Sequence, residues 1–361
     1  IGSELPVRKF IDDHYFGLIR NFRRIGWLVP LLFGNSPVVC SSFLGGRTTR
    51  FKPFDHCSHY LPYATSLRMS DIGYKNKNQA VLNIAYDDLD NYVRSLSRAI
   101  ATPYPEYEVI GLYDGERRIQ LNTNILQIEN EFYSYMRPKR TTRPGERPSA
   151  ALHERGVEYV EMRALDVYSY APTGVAEDHL RVLEAFLIFC LLADSPQISA
   201  SEQWGIEYNE LTVAMRGREP GLVLIKDGER VGITQWAGDI LAGLEPICEI
   251  LDEGSDVPHY MRALREQQEV LREPDALPSA RILRELRERH MTFFDYTLEL
   301  AYAHEAHFRA NPLRSGLRDY FKGLAEESVA EQRALEQSDR IDFTTYLAQQ
   351  AMPTLPETGL P

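Results

Sequence analysis

The sequence has few cysteines and no long apolar run. Its four cysteines, Cys40, Cys57, Cys190 and Cys248, are widely separated and form no Cys-x-x-Cys pair. This pattern is typical of free thiols in a reducing compartment, so we expect a cytoplasmic protein without a disulfide framework. The most apolar segment, residues 185–193 (AFLIFCLLA), is much shorter than the ~20 residues that cross a bilayer. It predicts a buried core helix, and we expect no membrane partner.

Positive charge is also scarce. The chain has 40 lysines and arginines against 52 aspartates and glutamates, which gives a net charge of −12. Most of such a surface repels nucleic acids and anionic membranes, so we expect no nucleic-acid partner. Small anionic substrates remain compatible with this composition if basic side chains gather in one cleft. The hydrophobic fraction of 43% and the charged fraction of 25% are those of an ordinary globular protein.

Strand patterns concentrate in the first half of the chain and helix patterns in the second half. Residues 108–121 predict a hairpin that turns at Asp114-Gly115. Further strands are predicted within residues 124–140 and 156–167. Beyond Glu177 the pattern is largely helical. Strands and helices that are segregated in this way indicate an α+β fold.

The predicted elements also suggest how the chain is organised. We expect a sheet domain with flanking helices over residues 1–193, a mostly helical region packed on it over residues 194–352, and a tail over residues 353–361. An aromatic helical pattern opens the chain in residues 10–33 and contains Pro30. Because proline disrupts the helix around it, we expect a kink or a helix end there.

The segment GVEYVEMRALDV, residues 156–167, has two charged residues within an apolar strand pattern. Side chains alternate between the two faces of a strand, so Glu161 and Arg163 share one face while Val160 and Met162 take the other. One interpretation is a structural ion pair with partners on a neighbouring strand. Burying both charges costs several kcal/mol per ion, however. The alternative is a metal ion beside Glu161 and a phosphate beside Arg163, which supply the counter-charges.

A basic segment follows one of the predicted strands. Residues 137–147 (RPKRTTRPGER) carry five basic residues and one glutamate, a composition typical of a solvated loop. They come directly after a predicted strand in which Glu129, Glu131 and Tyr133 share one face. Basic residues at the mouth of an acid-lined sheet are also suited to nucleotide phosphates, with the carboxylates holding metal ions. The sequence leaves both interpretations open.

Another segment is dense in tyrosine and in basic residues. Residues 59–79 (HYLPYATSLRMSDIGYKNKNQ) include Arg68 and Tyr74. A surface loop is one interpretation. Such loops also recognise small polar ligands, because arginine binds carboxylates and tyrosine offers an apolar ring with a polar tip.

Five segments, in this order, resemble the proteobacterial type of glutamate–cysteine ligase. They are VVCSSFLGG, YLPYATSLRMSDIGYKNKNQ, LQIENEFYSYMRPKRTTRPGE, GVEYVEMRALDV and PSARILREL. The resemblance extends from about Phe16 to about Leu347, which is nearly the whole chain. Five separated segments in one order are far more specific than any single motif.

The resemblance implies a fold and a reaction. The fold would be similar to the glutamine synthetase catalytic domain, with a curved antiparallel sheet, partial here, and a helical C-terminal half. The family joins L-glutamate to L-cysteine with ATP in the first step of glutathione synthesis, through a γ-glutamyl phosphate, with Mg²⁺ or Mn²⁺ on the phosphates. We therefore expect Arg137, Lys139 and Arg140 to bind the ATP phosphates.

The resemblance also implies roles for individual residues. Glu161 matches a glutamate that binds a metal ion. Arg163 matches the arginine beside the transferred phosphoryl group and the glutamate substrate, which makes it the expected catalytic residue. Arg68, Tyr74 and Tyr133 match residues around the cysteine substrate.

Members of the family carry an N-terminal region ahead of the point where this chain starts, and we expect the chain to correspond to roughly their C-terminal two thirds. That region would supply the other acidic metal ligands and the first strands of the sheet. Two alternative functions remain. One is another carboxylate–amine ligase of the glutamine synthetase type with a different acceptor. The other is a non-catalytic fragment that needs the N-terminal segment from elsewhere.

Overall fold

A computed structural model of the protein describes residues 7–46, 49–73, 82 and 84–350. The helices are α1 (Val7–Ile25), α2 (Leu28–Phe33), α3 (Ser41–Leu44), α4 (Leu89–Ala101), α5 (Pro105–Ile110), α6 (Pro148–Arg155), α7 (Glu177–Leu192), α8 (Ala200–Arg216), α9 (Ile233–Leu251), α10 (His259–Arg272), α11 (Pro278–Glu288), α12 (Phe293–Ala310), α13 (Ser315–Ser338) and α14 (Phe343–Gln350). The strands are β1 (Val38–Cys40), β2 (Lys52–Pro53), β3 (Ser58–Tyr60), β4 (Tyr113–Asp114), β5 (Arg117–Arg118), β6 (Met136–Lys139), β7 (Tyr159–Met162), β8 (Val223–Lys226) and β9 (Glu229–Gly232).

The N-terminal helical pattern forms two helices rather than one. Phe16, Ile19 and Phe22 recur at close to helical spacing on α1 and are fully buried. The chain leaves the helix at Gly26, four residues before Pro30, and resumes as α2. A proline ring clashes with the carbonyl group four residues before it. The predicted break is therefore confirmed, and it falls at the residue whose carbonyl Pro30 would contact.

The main hydrophobic core lies between helices. Ala185, Phe186 and Cys190 of α7 are fully buried, whereas Leu191 and Leu192 at the end of the helix are exposed, so the predicted core helix is confirmed as far as Cys190. Helices α1, α2, α4, α7, α9 and α10 all contribute side chains to this core, and α7 packs against α1, α9 and α10. The core thus contains residues from both sides of the boundary predicted at residue 193, and that boundary stays a prediction.

Within the described residues the strands form four small antiparallel sheets, not one large curved sheet. One has three strands in the order β1-β3-β2, and the others are the pairs β4-β5, β6-β7 and β8-β9. The fold is a mixture of helices and small sheets, in which helices predominate. The β8–β9 hairpin lies in the half of the chain that was predicted to be helical. Its turn, Asp227-Gly228, has positive φ at both residues. The dipeptide Asp-Gly is a sequence signature of such two-residue hairpin turns.

Two predicted strands were wrong in part. The hairpin at Asp114-Gly115 is present, but residues 105–110 before it form α5, where Pro105 occupies the first turn. Glu129 lies in a short 3-10 turn, residues 129–131, so it does not share a strand face with Tyr133. Tertiary contacts decide this turn, because the buried Glu129 carboxylate accepts hydrogen bonds from Arg147 and from Ser149 at the start of α6.

Candidate functional site

The strand that carries Glu161 has an apolar face and an ionic face. It pairs with β6 in a register that sets Arg137 opposite Glu161 and Lys139 opposite Tyr159. Val160 and Met162 pack against the core, whereas Tyr159 is 44% exposed. The alternation predicted for this strand is confirmed over Tyr159–Met162. On this ionic face the Glu161 carboxylate lies beside Lys139, which is partly exposed, and beside Arg137, whose side chain is only 9% exposed.

Glu161 forms its ion pair with Arg137, not with Arg163. Its Oε2 accepts hydrogen bonds from Arg137 Nη2 at 2.9 Å and Nε at 3.3 Å, and Lys139 Nζ lies 3.9 Å away. Partial burial raises the pKa of Glu161, but the hydrogen bond and the charge of Arg137 outweigh it, so the pKa lies below the ordinary 4.5. The carboxylate is therefore ionised at neutral pH. Its pairing with Arg137 stabilises the fold above about pH 4.5, and this contribution is lost as the pH falls through the lowered pKa.

Replacing Arg137 by leucine is expected to raise the pKa of Glu161. The substitution removes both the hydrogen bond and the largest neighbouring charge. A pH titration of the ¹³C-labelled glutamate carboxyl signals measures the change. Arg140→Leu is the matched control, because Arg140 lies 3.6 Å from Glu158 instead. An unchanged titration of Glu161 in Arg137→Leu would contradict this electrostatic assignment.

Arg163 lies directly after β7 and is fixed at its backbone and at its guanidinium. Its N–H donates to the carbonyl of Tyr135 at 2.8 Å, and its carbonyl accepts from the Tyr133 hydroxyl at 3.1 Å. The guanidinium carbon lies 4.9 Å from the centre of the Tyr133 ring, within range of a cation–π contact. Burial raises the pKa of Tyr133 to about 12, against the lowering effect of the Arg68 and Arg163 charges. The phenol is thus neutral and able to donate.

Arg68 joins this group from a distant part of the chain. Its Nε donates to Asp166 Oδ1 at 2.7 Å, and its Nη2 donates to the carbonyls of Arg163 and Leu165, both at 2.8 Å. The structure therefore brings together three predicted site residues, Arg68, Tyr133 and Arg163. Tyr74, which was predicted to lie around the cysteine substrate with Arg68 and Tyr133, lies outside the described residues.

Asp166 is the residue at this site that the sequence analysis missed. Its side chain is only 3% exposed, and its carboxylate accepts hydrogen bonds from Asn35, Ser36, Ser66 and Arg68. The available signal was its position, three residues after Arg163 in the otherwise apolar stretch ALDV. An aspartate there has to be paired when it is buried.

The basic segment, residues 137–147, is held by hydrogen bonds and ion pairs along its length. The backbone N–H of Thr141 donates to Glu158 at 2.9 Å, and Arg155 forms two hydrogen bonds with Glu146, at 2.6 and 2.7 Å. At the far end Arg147 pairs with the buried Glu129. The segment is therefore a structured loop, and not only a solvated one.

A cavity of about 290 Å³ opens between this loop and β7. Its walls include Lys139, Arg140 and Tyr159, together with the apolar Pro138 and Leu152. Cations beside an aromatic and an aliphatic wall suit a phosphorylated ligand with a flat base. Burial, followed by the charge of Arg137, lowers the pKa of Lys139. A larger cavity of about 560 Å³ lies beside α8, α9 and the β8–β9 hairpin, and none of the predicted site residues lines it.

The described residues supply one carboxylate for a metal ion at this site. Glu161 faces outward with its side chain 39% exposed. Mg²⁺ typically binds one or two carboxylates and completes its shell with phosphate oxygens and water, so Glu161 fits as one ligand of a nucleotide-bound ion. Within the described part of the chain, the three side chains close enough to share an ion, Asp55, His56 and Cys57, are contiguous in the β2–β3 turn and include no predicted ligand.

Comparison with known proteins identifies the family. A sequence model described as glutamate-cysteine ligase matches residues 2–213. Glutamate–cysteine ligases from Alcanivorax borkumensis and Azotobacter vinelandii are 44% and 46% identical to the chain. These matches cover 96% and 95% of this chain, and 67% and 64% of the relatives. The chain thus spans about two thirds of the length of the curated relatives it matches.

Solved structures agree with the sequence matches. A crystal structure of glutamate–cysteine ligase from Francisella tularensis in complex with AMP matches with a TM-score of 0.88 at 33% identity, over 94% of this chain and 67% of that one. A bifunctional glutathione synthetase from Pasteurella multocida matches with a TM-score of 0.62 at 18% identity, over 85% of this chain and 34% of that one, which shows a shared fold alone. No described helix combines the length and apolarity that a membrane span requires. The chain belongs to the glutamate–cysteine ligase family.

Proposed function

We propose that the protein containing this chain uses ATP to join the side-chain carboxylate of L-glutamate to the amine of L-cysteine. The observation that carries this proposal is the convergence of Arg68, Tyr133 and Arg163 beside the ionic face of β7, in a chain of this family. Arginines and a neutral phenol suit carboxylate and phosphate groups. The carboxylate Glu161 suits the metal ion that accompanies a nucleotide.

The nucleotide would lie along the loop after β6. Arg137, Lys139 and Arg140 would bind its phosphates, and the cavity between the loop and Tyr159 would take the base. Support comes from Lys139 and Arg140 in the wall of that cavity, and from the AMP in the Francisella tularensis relative. Glu161 would hold Mg²⁺ or Mn²⁺, which would draw charge from the phosphate oxygens when it is bound.

Arg163 would act on the transferred phosphoryl group. The glutamate carboxylate attacks the γ-phosphorus of ATP and forms γ-glutamyl phosphate and ADP. The amine of cysteine then attacks the acyl carbon, the bond from carbon to the phosphate oxygen breaks, and the amine nitrogen loses a proton. Both steps move negative charge on phosphate oxygens, which a guanidinium already held in place can stabilise without reorganisation.

The acceptor would be held by Arg68, Tyr74 and Tyr133. A cysteine molecule offers a carboxylate for an arginine and a thiol for an apolar aromatic wall. The same proposal makes β6 and β7 part of a larger curved antiparallel sheet of the glutamine synthetase type. It also places the reaction in a reducing cytoplasm, consistent with four free cysteines, with small molecules as its partners and no nucleic acid.

The test is an assay of ADP release with ATP, Mg²⁺, L-glutamate and an acceptor. Two samples are compared, the chain alone and a fusion that adds the part of the Azotobacter vinelandii relative that the chain does not match. We expect the fusion to release ADP only when both amino acids are present. L-2-aminobutyrate, which lacks the thiol, should replace cysteine in part, and ammonia should not replace it.

The acceptor series separates the alternatives. Equal turnover with ammonia and cysteine would support a different carboxylate–amine ligase of the same fold. No ADP release from either sample, in protein that is folded by circular dichroism, would overturn the proposal.

A further inference from the structure

The Asp166 carboxylate is a junction between three separate segments of the chain. Oδ2 accepts from the Asn35 N–H at 2.8 Å and from the Ser36 hydroxyl at 2.7 Å. Oδ1 accepts from the Ser66 hydroxyl at 2.9 Å and from Arg68 Nε at 2.7 Å. Each oxygen therefore has two donors, and the side chain is almost fully buried. This many donors around one carboxylate hold it in a single orientation.

Arg68 connects the Asp166 carboxylate to the backbone of Arg163 by hydrogen bonds. While its Nε binds Asp166, its Nη2 donates to the carbonyls of Arg163 and Leu165. The Arg163 carbonyl also accepts from the Tyr133 hydroxyl, and the ring of Tyr133 lies beneath the Arg163 guanidinium. A continuous set of contacts thus leads from the Asp166 carboxylate to both ends of Arg163.

We propose that Asp166 is a positioning residue, which fixes Arg68 against the Arg163 backbone and so sets the place of the Arg163 guanidinium. The inference rests on the proposed function for its catalytic consequence, because Arg163 and Arg68 are there assigned to the phosphoryl group and the acceptor. The effect of Asp166 on the positions of Arg68 and Arg163 is inferred from the hydrogen bonds alone. Asp166 itself acts through the two arginines.

The proposal requires a carboxylate at this position, and asparagine cannot replace it. An amide has one accepting oxygen and one NH₂ group, and the NH₂ must face one of the two donor pairs. A serine hydroxyl can rotate to accept from it, but Arg68 Nε–H and the Asn35 backbone N–H cannot. Whichever way the amide is placed, Arg68 or Asn35 therefore loses its acceptor. Asp166→Asn consequently tests the charge and the acceptor geometry at almost unchanged volume.

The experiment compares Asp166→Asn with Asp55→Asn as the matched control. Asp55 is also an aspartate that accepts from backbone N–H groups, those of Cys57 and Phe293, but it joins the β2–β3 turn to α12. Selective ¹⁵N labelling of arginine makes the Nε–H groups visible by NMR. The signal of Arg68 is the one missing from the spectrum of Arg68→Lys, and the signal of Arg163 is the one missing from that of Arg163→Lys. Turnover, KM and melting temperature are measured on the same samples, with the fusion used for kinetics.

In Asp166→Asn we expect the Nε–H signals of both Arg68 and Arg163 to shift. We expect kcat to fall by about 10- to 100-fold, because displacements of about 1 Å at a reacting site have effects of this size. KM for ATP should change less than about two-fold. Asp55→Asn should leave both signals and kcat unchanged and lower only the melting temperature.

Two results would overturn the proposal, and a third would separate it from the proposed function. An unmoved Arg163 signal in folded Asp166→Asn overturns it, and so does a moved signal with unchanged kcat. If the unsubstituted protein shows no ligation, the proposed function fails while the Arg163 signal still decides the positioning. If Asp166→Asn does not fold, Arg68→Lys replaces it, since lysine keeps the charge beside Asp166 but loses the forked contact with the two carbonyls. The Arg163 signal must then shift in Arg68→Lys.

Discussion

Replacing Arg163 by alanine is expected to lower kcat by about 10²- to 10³-fold, the typical loss when one pre-positioned donor to a developing negative charge is removed. The fold should tolerate the change. The segment after β7 is held by the Arg163 backbone, which donates to the Tyr135 carbonyl and accepts from Tyr133 and Arg68, and alanine keeps all of these contacts. The measurement is steady-state kinetics of the fusion together with its melting temperature.

Arg163→Lys refines this prediction. Lysine retains the positive charge but not the planar guanidinium, so we expect it to recover only part of the lost kcat. Arg143→Ala is the matched control, because Arg143 lies in the neighbouring basic loop with its side chain 66% exposed. A destabilised Arg163→Ala with normal turnover per folded molecule would refute the catalytic assignment and make Arg163 a structural residue.

Arg68→Ala is expected to affect both stability and acceptor binding. It leaves the buried Asp166 carboxylate without its cationic partner, and breaking a buried pair of this kind typically lowers the free energy of unfolding by 3–5 kcal/mol. We expect about 3 kcal/mol, because Asp166 keeps donors from Asn35, Ser36 and Ser66. KM for cysteine should rise strongly while the affinity for ATP stays nearly constant, since the acceptor carboxylate is the substrate group that Arg68 is proposed to contact.

Urea unfolding and substrate titration of the fusion separate the two effects. Arg216→Ala is the stability control, because the pair of Arg216 with Glu219 is solvent-exposed and should contribute less than about 1 kcal/mol. In the double variant Arg68→Ala, Asp166→Asn the stability loss should be smaller than the sum of the single losses, since neither charge is then left unpaired. Equal losses of ATP and cysteine affinity in Arg68→Ala would argue against placing Arg68 in the acceptor pocket.

Much of the local structure could be predicted from the sequence. Ala185, Phe186 and Cys190 of α7 are buried, the first helix ends ahead of Pro30, and the hairpin turns at Asp114-Gly115. These features depend only on the local sequence. They follow from the helical spacing of apolar residues, the missing N–H of proline and the backbone freedom of glycine. Single patterns of this kind need no knowledge of the rest of the chain.

Most residues of the candidate site, with the exception of Asp166, could be named from the sequence, but their contacts could not. Family segments in order pointed to Arg68, Tyr133, Glu161 and Arg163, and the period-two alternation of β7 correctly set Glu161 on the ionic face. The same alternation failed before β6, where residues 129–131 leave the strand pattern. There a buried carboxylate finds its partners about twenty residues further along the chain, and this contact outweighs the local strand preference.

The sequence by itself determined the apolar helix α7, the helix break ahead of Pro30, which face of β7 meets the core, and the family to which the chain belongs. Only the tertiary structure decided that Glu161 pairs with Arg137 instead of Arg163, and that Asp166 accepts hydrogen bonds from Arg68, 98 positions away, and from Asn35 and Ser36, 131 and 130 positions away. The physical reason is that spacing along the chain controls which side chains share a face, whereas a buried charge requires partners in space. Those partners come from whichever segments the packing of the helices brings to it.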